Sequence, residues 1–400
     1  MDRVLVVLPT NSYRTAAFVE AANRLGVELA LASEEEPPLD LGDRFVRIDC
    51  SSPEASARSI VALADHTPID AVVAADDAGV VIAALAAAKL GLSHHSPEGA
   101  RATRDKLLLR STLAQGEVPQ PDFAPVERDP HPVADALGYP LILKPRGGTA
   151  SRGVLRVDTP EELGPAFDRV RTIADQMGES GPLIAERYVD GDEFALEGMV
   201  SDGRLTVLAI FDKPDTPVGP TFEETLLITP SRLSPETLDE IERVVSSAVG
   251  ALGMTNGPVH AEVKADSRGR VLLLEIAARS IGGLCGRSLR FGLMGTSLEE
   301  LILASALGAH DPVFRQPQPS GVMMLPVPKT GTFRGVRGIE DALAIPGVTE
   351  VEITIPSGTT VEPLPEGDRY LGFIFATGAT PSEVTHTLRA ATALLEVEIE

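Results

Sequence analysis

Two short segments restrict the fold of this chain more than any other part of it: Gly257-Pro-Val-His-Ala-Glu-Val-Lys264 and Arg270-Val-Leu-Leu-Leu-Glu-Ile-Ala-Ala-Arg279. In the first, Val259, Ala261 and Val263 alternate with His260, Glu262 and Lys264. A strand sends successive side chains to opposite faces, so one face enters a core and the other carries three polar groups. In the second, the same reasoning places Leu272, Leu274 and Ile276 on one face and Glu275, Ala277 and Arg279 on the other. The short Gly- and Asp-bearing connection 265–269 predicts a hairpin, which sets Glu262 beside Glu275. Two acids so placed are either solvated on an open face, or share a proton or a cation. The cation that suits such oxygen ligands is Mg²⁺, with Mn²⁺ as the alternative.

The rest of the chain bounds the setting. Its 400 residues allow two or three domains, and a net charge of −23 without a basic run argues against nucleic-acid or anionic-membrane partners. Cys50 and Cys285 are the two cysteines, too few for a disulfide framework or a Cys-rich zinc site. Cys285 reads either as a buried space-filler or as a reactive thiol. The start has too short an apolar run for a signal peptide, and the apolar stretch 69–92 is broken by Asp76, Asp77 and Lys89. A cytoplasmic protein is expected, and on symmetry grounds a homodimer.

Residues 1–96 alternate strand-like segments (4–8, 27–31, 45–48, 71–75) with helical ones (13–25 among them). That rhythm predicts an α/β domain with a parallel sheet. The first strand runs into Pro-Thr-Asn-Ser-Tyr rather than a Gly-x-Gly-x-x-Gly turn, so no dinucleotide site is expected. Residues 97–312 read as an α+β unit: a helix over 97–115, further helices over 160–177 and 235–252, and blocks of strands. Within it, residues from about 115 to 192 form a smaller subdomain. Residues 311–318 read as a linker into a small α+β unit over 313–400, which ends in an amphipathic helix over 384–395.

Two more segments suggest a nucleotide. Leu141-Ile-Leu-Lys144 ends a buried strand in a lysine, and a turn with Gly147, Gly148, Ser151 and Gly153 follows. Glycines let backbone N–H groups approach phosphate oxygens, while Lys144 supplies a point charge. In Leu183-Ile-Ala-Glu-Arg-Tyr-Val189 the backbone of Tyr188 and Val189 can meet an adenine edge, with Glu186 before it and Glu193 beyond it toward a ribose. Each segment alone also reads as an ordinary turn or surface hairpin.

Taken in order, Lys106, Lys144 with its glycine-rich turn, Glu186 to Glu193, Glu262, and Glu275 to Arg279 make the chain resemble the ATP-grasp superfamily over residues 98–310. The segment from about 319 is similar to the extension of the L-amino-acid-ligase-like and biotin-carboxylase-like branches. The resemblance implies that Lys106 and Lys144 hold phosphates and that the turn 147–153 is a lid over ATP. It implies Glu186, Tyr188 and Val189 at adenine, Glu193 at ribose, and Mg²⁺ between Glu262 and Glu275. Arg279 and Lys144 then offset charge on the transferred phosphoryl group. The family commonly has Asn where this chain has Ala277, which removes one oxygen ligand to a second metal ion.

The function this implies is an ATP-dependent carboxylate–amine ligase that activates an acid as an acyl phosphate and releases ADP and phosphate. Its substrates are small acids and amines, amino acids among them. In the loop 211–224, Glu223 or Glu224 is expected to meet a substrate ammonium, and Arg287 a carboxylate. His260 is either a general base or a structural neighbour of the metal site. Two other readings stand beside it: a bicarbonate-activating enzyme of the biotin-carboxylase type, and a nucleotide-binding protein without turnover.

Overall fold

The computed structural model describes residues 1–400 apart from 11, 37–40, 267 and 310–313. The boundary expected at 312/313 and the first residues of the expected linker therefore lie outside the described residues.

The expected parallel sheet is present. Strands Phe45–Arg47, Glu28–Ser33, Arg3–Val7 and Ala71–Ala74 lie in that order, all parallel, with Leu5 beside both Ala30 and Val72. Apolar runs without alternation suit strands covered on both faces. The covering is supplied by helices Thr15–Leu25, Pro53–Ala64 and Val80–Leu90. The last of these buries Val80, Ile82, Ala83, Ala84, Ala86 and Ala87, and its alanines permit close packing against its neighbours.

The single helix expected over 97–115 is two: Pro97–Ala102 and Lys106–Gln115. Asp105 is the reason. Its extended backbone interrupts the first helix, and its carboxylate caps the second by accepting the N–H groups of Leu107 and Leu108 at 3.0 and 3.1 Å. Lys106 consequently opens a helix and points toward the glycine-rich turn. The C-terminal helix also starts earlier than expected, spanning Pro381–Thr392, with Thr380 as its cap.

An eight-stranded antiparallel sheet forms the centre, in the order Val271–Ala277, Gly257–Ala265, Asp192–Ser201, Arg204–Asp212, Leu226–Thr229, Ser320–Leu325, Gly372–Thr377, Val348–Ile353. It runs across the expected boundary, because Leu226–Thr229 pairs directly with Ser320–Leu325. A separate four-stranded sheet (Phe123–Val126, Leu183–Arg187, Leu141–Lys144, Leu155–Val157) carries helices His131–Leu137 and Pro160–Gln176 and stands over one end of the large sheet. A three-stranded sheet of Gly331–Arg337, Thr360–Val361 and Glu396–Ile399 completes the C-terminal part.

The hairpin of Gly257–Ala265 and Val271–Ala277 has the expected pairing, Glu262 opposite Glu275. Its face assignment needs correction. A bulge shifts the register between Glu262 and Val263, so Val263 pairs with Leu273 and Leu274 is extra. Val271 and Leu273 enter the core with Ile276, while Leu272 and Leu274 are only half-buried. A bulge re-aims side chains locally, and here it turns Leu274 and Glu275 together toward one cleft.

Candidate active site

A cleft of about 810 Å³, counting the solvent at its open mouth, separates the small four-stranded sheet from the large one. Lys106, Lys144, Gly148, Ser151, Glu186, Tyr188, Val189, Glu193, Glu224, Glu262 and Glu275, all singled out in sequence, line it. Gly147, Gly153, Glu223, His260, Arg279 and Arg287 are not on its wall.

On the small-sheet side, basic groups are held by buried acids. Lys144 Nζ donates to Glu186 at 2.8 Å, and Arg110 grips the same carboxylate through Nε at 2.7 Å and Nη2 at 3.2 Å. Burial works against the Glu186 charge, but Arg110 and Lys144 outweigh it and bring its pKa down to about 2. Burial in turn lowers the pKa of Lys144. The carboxylate of Glu186 is thus the anchor for Lys144, not a free acceptor at an adenine edge. Lys106 Nζ donates to the carbonyls of Gly147 and Gly148 at 3.2 and 3.0 Å and so steadies the turn. Gly148 and Gly153 need their left-handed φ of +81° and +73° there, and the N–H of Gly153 is directed to Pro365 at 2.8 Å, away from the cleft. Tyr188 lies between the Arg156 guanidinium, 4.1 Å from its ring centroid, and Lys264, 4.8 Å from it. Lys264 also donates to the Val189 carbonyl at 2.9 Å.

On the large-sheet side, neighbouring strands set Lys264 opposite Glu193, Glu262 opposite Ala195 and His260 opposite Glu197. One oxygen each from Glu193, Glu224 and Glu262 fall within 4.8 Å of one another. The buried ammonium of Lys213 stands among them, 2.6 Å from Glu193, 3.5 Å from Glu262 and hydrogen-bonded to Glu224. Burial opposes the Lys213 charge, yet the three acids hold its pKa well above the usual value. Burial and the Glu262 charge lift Glu224 to about 7, whereas Glu262 stays well below the usual range because Lys213 and His260 outweigh its burial. His260, 8% exposed, sits behind Glu262 and pairs with Glu197 at 3.2 Å. Its pKa rises to about 9, since the Glu197 carboxylate at Nδ1 and the Glu262 carboxylate 3.7 Å from Nε2 overcome burial.

Two expectations are corrected by contacts. Arg279 is turned to Asp77 in the N-terminal domain, with Nε at 2.8 Å and Nη2 at 2.7 Å, and Nη1 donates to the Ser280 carbonyl at 2.8 Å. It bridges domains in this structure instead of facing the cleft. Arg287 is held through Nη1 by Glu350 at 2.7 Å and by Glu352, both on the C-terminal strand Val348–Ile353, and it does not line the cleft. Cys285 is 2% exposed, and burial pushes its thiol up to about 12, which fits the space-filling reading.

Lys213, Lys264, Arg110 and Glu197 were not picked out in sequence. Lys264 had a signal, its alternation with Glu262 on the polar face. Lys213 lies at the edge of a Pro-rich loop, and Arg110 is one of several basic residues on an unremarkable helix, so neither spacing nor composition marks them. The oxygen donors gathered at Glu193, Glu224 and Glu262 are hard ligands of the kind Mg²⁺ prefers, with the Lys213 ammonium already in their midst, and Glu275 lines the same cleft opposite Glu262 on the neighbouring strand. The donor set therefore fits a divalent cation.

With this geometry in hand, relatives are informative. An ATP-grasp N-terminal domain model matches residues 19–94, an ATP-grasp domain model residues 137–288, and an L-amino acid ligase C-terminal domain 2 model residues 323–400. An alanine–anticapsin ligase of Bacillus subtilis strain 168 is 29% identical over 58% of this chain, and the match spans 53% of that protein, about half its length. An L-arginine-specific L-amino acid ligase of Bacillus subtilis is 22% identical over 80% of this chain and 78% of its own length. The crystal structure of an L-amino acid ligase from Bacillus licheniformis superposes with a TM-score of 0.83 and 27% identity, covering 100% of this chain and 99% of that one. From its N-terminal α/β domain to its C-terminal sheet, this chain belongs to the ATP-grasp superfamily and has the domain order of the L-amino acid ligases.

Proposed function

We propose that this protein is an ATP-dependent carboxylate–amine ligase that joins amino-acid substrates through an acyl phosphate. The observation that carries the reading is one cleft with both a cationic wall (Lys106, Lys144, Arg152) and an acidic one (Glu193, Glu224, Glu262, Glu275). A triphosphate needs the first, and a divalent cation with an amine substrate needs the second.

On this reading Lys106 and Lys144 lie along the phosphates, the turn 147–153 covers them, and the Tyr188–Val189 backbone borders the base. Mg²⁺, held by Glu262 and Glu275, would draw negative charge from the terminal phosphates. A substrate carboxylate oxygen bonds to the γ-phosphorus as the bond to ADP breaks, and Lys144 offsets charge on the transferring group. The amine then attacks the acyl carbon, and inorganic phosphate leaves. The incoming ammonium must lose a proton first. Glu224, at about 7, has the proton affinity to take it near neutral pH. Closure of the turn keeps water from the acyl phosphate.

The test is ADP release measured over a matrix of paired amino acids with Mg²⁺, with product mass as the second readout. Release that depends on both partners is expected. ADP release with bicarbonate and biotin, and none with any amino acid pair, would select the carboxylase reading. Nucleotide binding without release under any pairing would leave a binding protein.

A further inference from the structure

We propose that Glu197 is a positioning residue for Glu262, acting through the imidazole of His260. The proposal rests on the reading of Glu262 as a cation ligand.

Glu197 is 0% exposed. Its Oε2 accepts the Ile281 N–H at 2.9 Å and faces His260 Nδ1 at 3.2 Å, while its Oε1 has no hydrogen-bond partner among the described residues. A buried carboxylate with one oxygen unpaired is costly, so stability alone does not account for an acid at this position. A role for it is visible in the strand register. Glu262 has Ala195 across from it on one side and Glu275 on the other, and His260 has Glu197 and Ala277. No alanine can hold a carboxylate, and Glu275 repels one.

Along its own strand, Glu262 is flanked on the same face by Lys264 and His260. Lys264 Nζ is engaged with the Val189 carbonyl. That leaves His260, whose Nε2 stands 3.7 Å from Glu262 Oε1. From the loop beyond, Lys213 reaches the same oxygen at 3.5 Å, but the same ammonium also serves Glu193 and Glu224. A carboxylate at Nδ1 fixes which way an imidazole presents Nε2, as it does in many metal sites. Glu197 therefore sets the ring, and the ring sets the Glu262 carboxylate.

The experiment measures Mn²⁺ affinity of the full-length ADP complex by the electron paramagnetic resonance signal of free Mn²⁺, beside metal-free ADP affinity and melting temperature. Glu197→Gln keeps the shape and an acceptor for Ile281 but weakens the hold on the imidazole. The expected result is metal affinity lower by about tenfold or more, the scale for outer partners of metal ligands, with metal-free ADP affinity and melting temperature unchanged. His260→Gln leaves Glu197 and its Ile281 bond in place, so it carries the test even if Glu197→Gln folds poorly. It should reproduce the loss, and the double variant should be no worse than either single one. Metal affinity within twofold of wild type in both single variants, or losses that multiply in the double variant, overturns the positioning role. A wild type that binds ADP but no metal overturns the reading of Glu262 and this proposal with it.

Discussion

Replacing Glu186 by glutamine is the sharpest probe of how the cationic wall is built. The side chains of Arg110, Glu186 and Lys144 are 1%, 5% and 10% exposed, so two cations share one buried anion with little help from water. Glutamine keeps the shape and one acceptor, but turns an NH₂ toward a cation that also only donates. The Glu186 pKa falls from the usual 4.5 to about 2, which corresponds to about 3 kcal/mol of stabilisation at neutral pH. Breaking a buried ion pair on one side typically costs about 3–5 kcal/mol, so the two arguments agree. The urea midpoint at pH 7 should fall accordingly, by the free-energy loss divided by the measured slope, which for a chain of this size exceeds the small-protein value of about 1–3 kcal/mol per molar. The sign with pH is fixed. A depressed carboxyl pKa contributes stability above about 4.5 and loses it as pH falls toward about 2, so the gap between wild type and Glu186→Gln should close over that window. A midpoint shift equivalent to less than about 1 kcal/mol at pH 7, or a gap that does not narrow in acid, would refute the account of Glu186 as the anchor of Lys144.

Two further outcomes follow from groups away from the cleft. Arg287→Ala should leave the KM for either substrate unchanged and alter stability by no more than about 1 kcal/mol, because its acids, Glu350 and Glu352, are 42% and 36% exposed; a large rise in one KM would restore Arg287 to the substrate site. His95 is 2% exposed with its pKa lowered to about 3, mainly by burial, so the folded state binds fewer protons than the unfolded one. Stability from this group is complete above about 6.5 and falls by about 1.4 kcal/mol per pH unit below it, and His95→Gln should make the fall in urea midpoint between pH 6.5 and 5 shallower without abolishing it, because neighbouring His94, lowered to about 4 by burial, keeps its own share; parallel profiles would show that His95 is not buried neutral.

What the sequence disclosed and what it withheld have physical reasons. Period-two alternation disclosed the hairpin and the pairing of Glu262 with Glu275, because register follows from which face must be buried. It misassigned Leu272 and Leu274, because a bulge adds one residue and leaves no mark in a run of three leucines. The parallel sheet was legible from unbroken apolar runs, whereas the break at Asp105 was not, since an aspartate inside a helical pattern becomes a cap only through its backbone angles. Glu186 and Lys144 were visible as members of the site but not as partners. Their contact joins residues 42 apart in sequence, and the third member, Arg110, arrives from a helix 76 residues before Glu186. Arg279 and Arg287 show the converse. A guanidinium beside a site motif looks available in sequence, and only the fold supplies Asp77, Glu350 and Glu352 to engage it.

A chain with net charge −23 that takes up a polyphosphate faces opposed electrostatics at long and short range. Far from the surface, ATP meets the whole acidic protein. At the cleft it meets Lys106, Lys144, Arg152 and Lys264 beside Glu193, Glu224, Glu262 and Glu275. The range of the first field is set by salt, with a Debye length of about 30 Å at 0.01 M and about 8 Å at 0.15 M. The second acts within a few ångströms and is partly shielded from solvent. Raising salt over that interval should therefore remove more repulsion than attraction, and the association rate of a fluorescent ATP analogue should rise. Its dissociation rate should change little, since the contacts that hold it are buried. Basic nucleotide-binding surfaces behave in the opposite sense, with steering that weakens as salt increases. An association rate that falls with salt would mean that the cationic wall reaches far enough into solvent to dominate the approach. The near balance of charges lining the cleft argues against such reach, because acids and bases a few ångströms apart cancel at a distance.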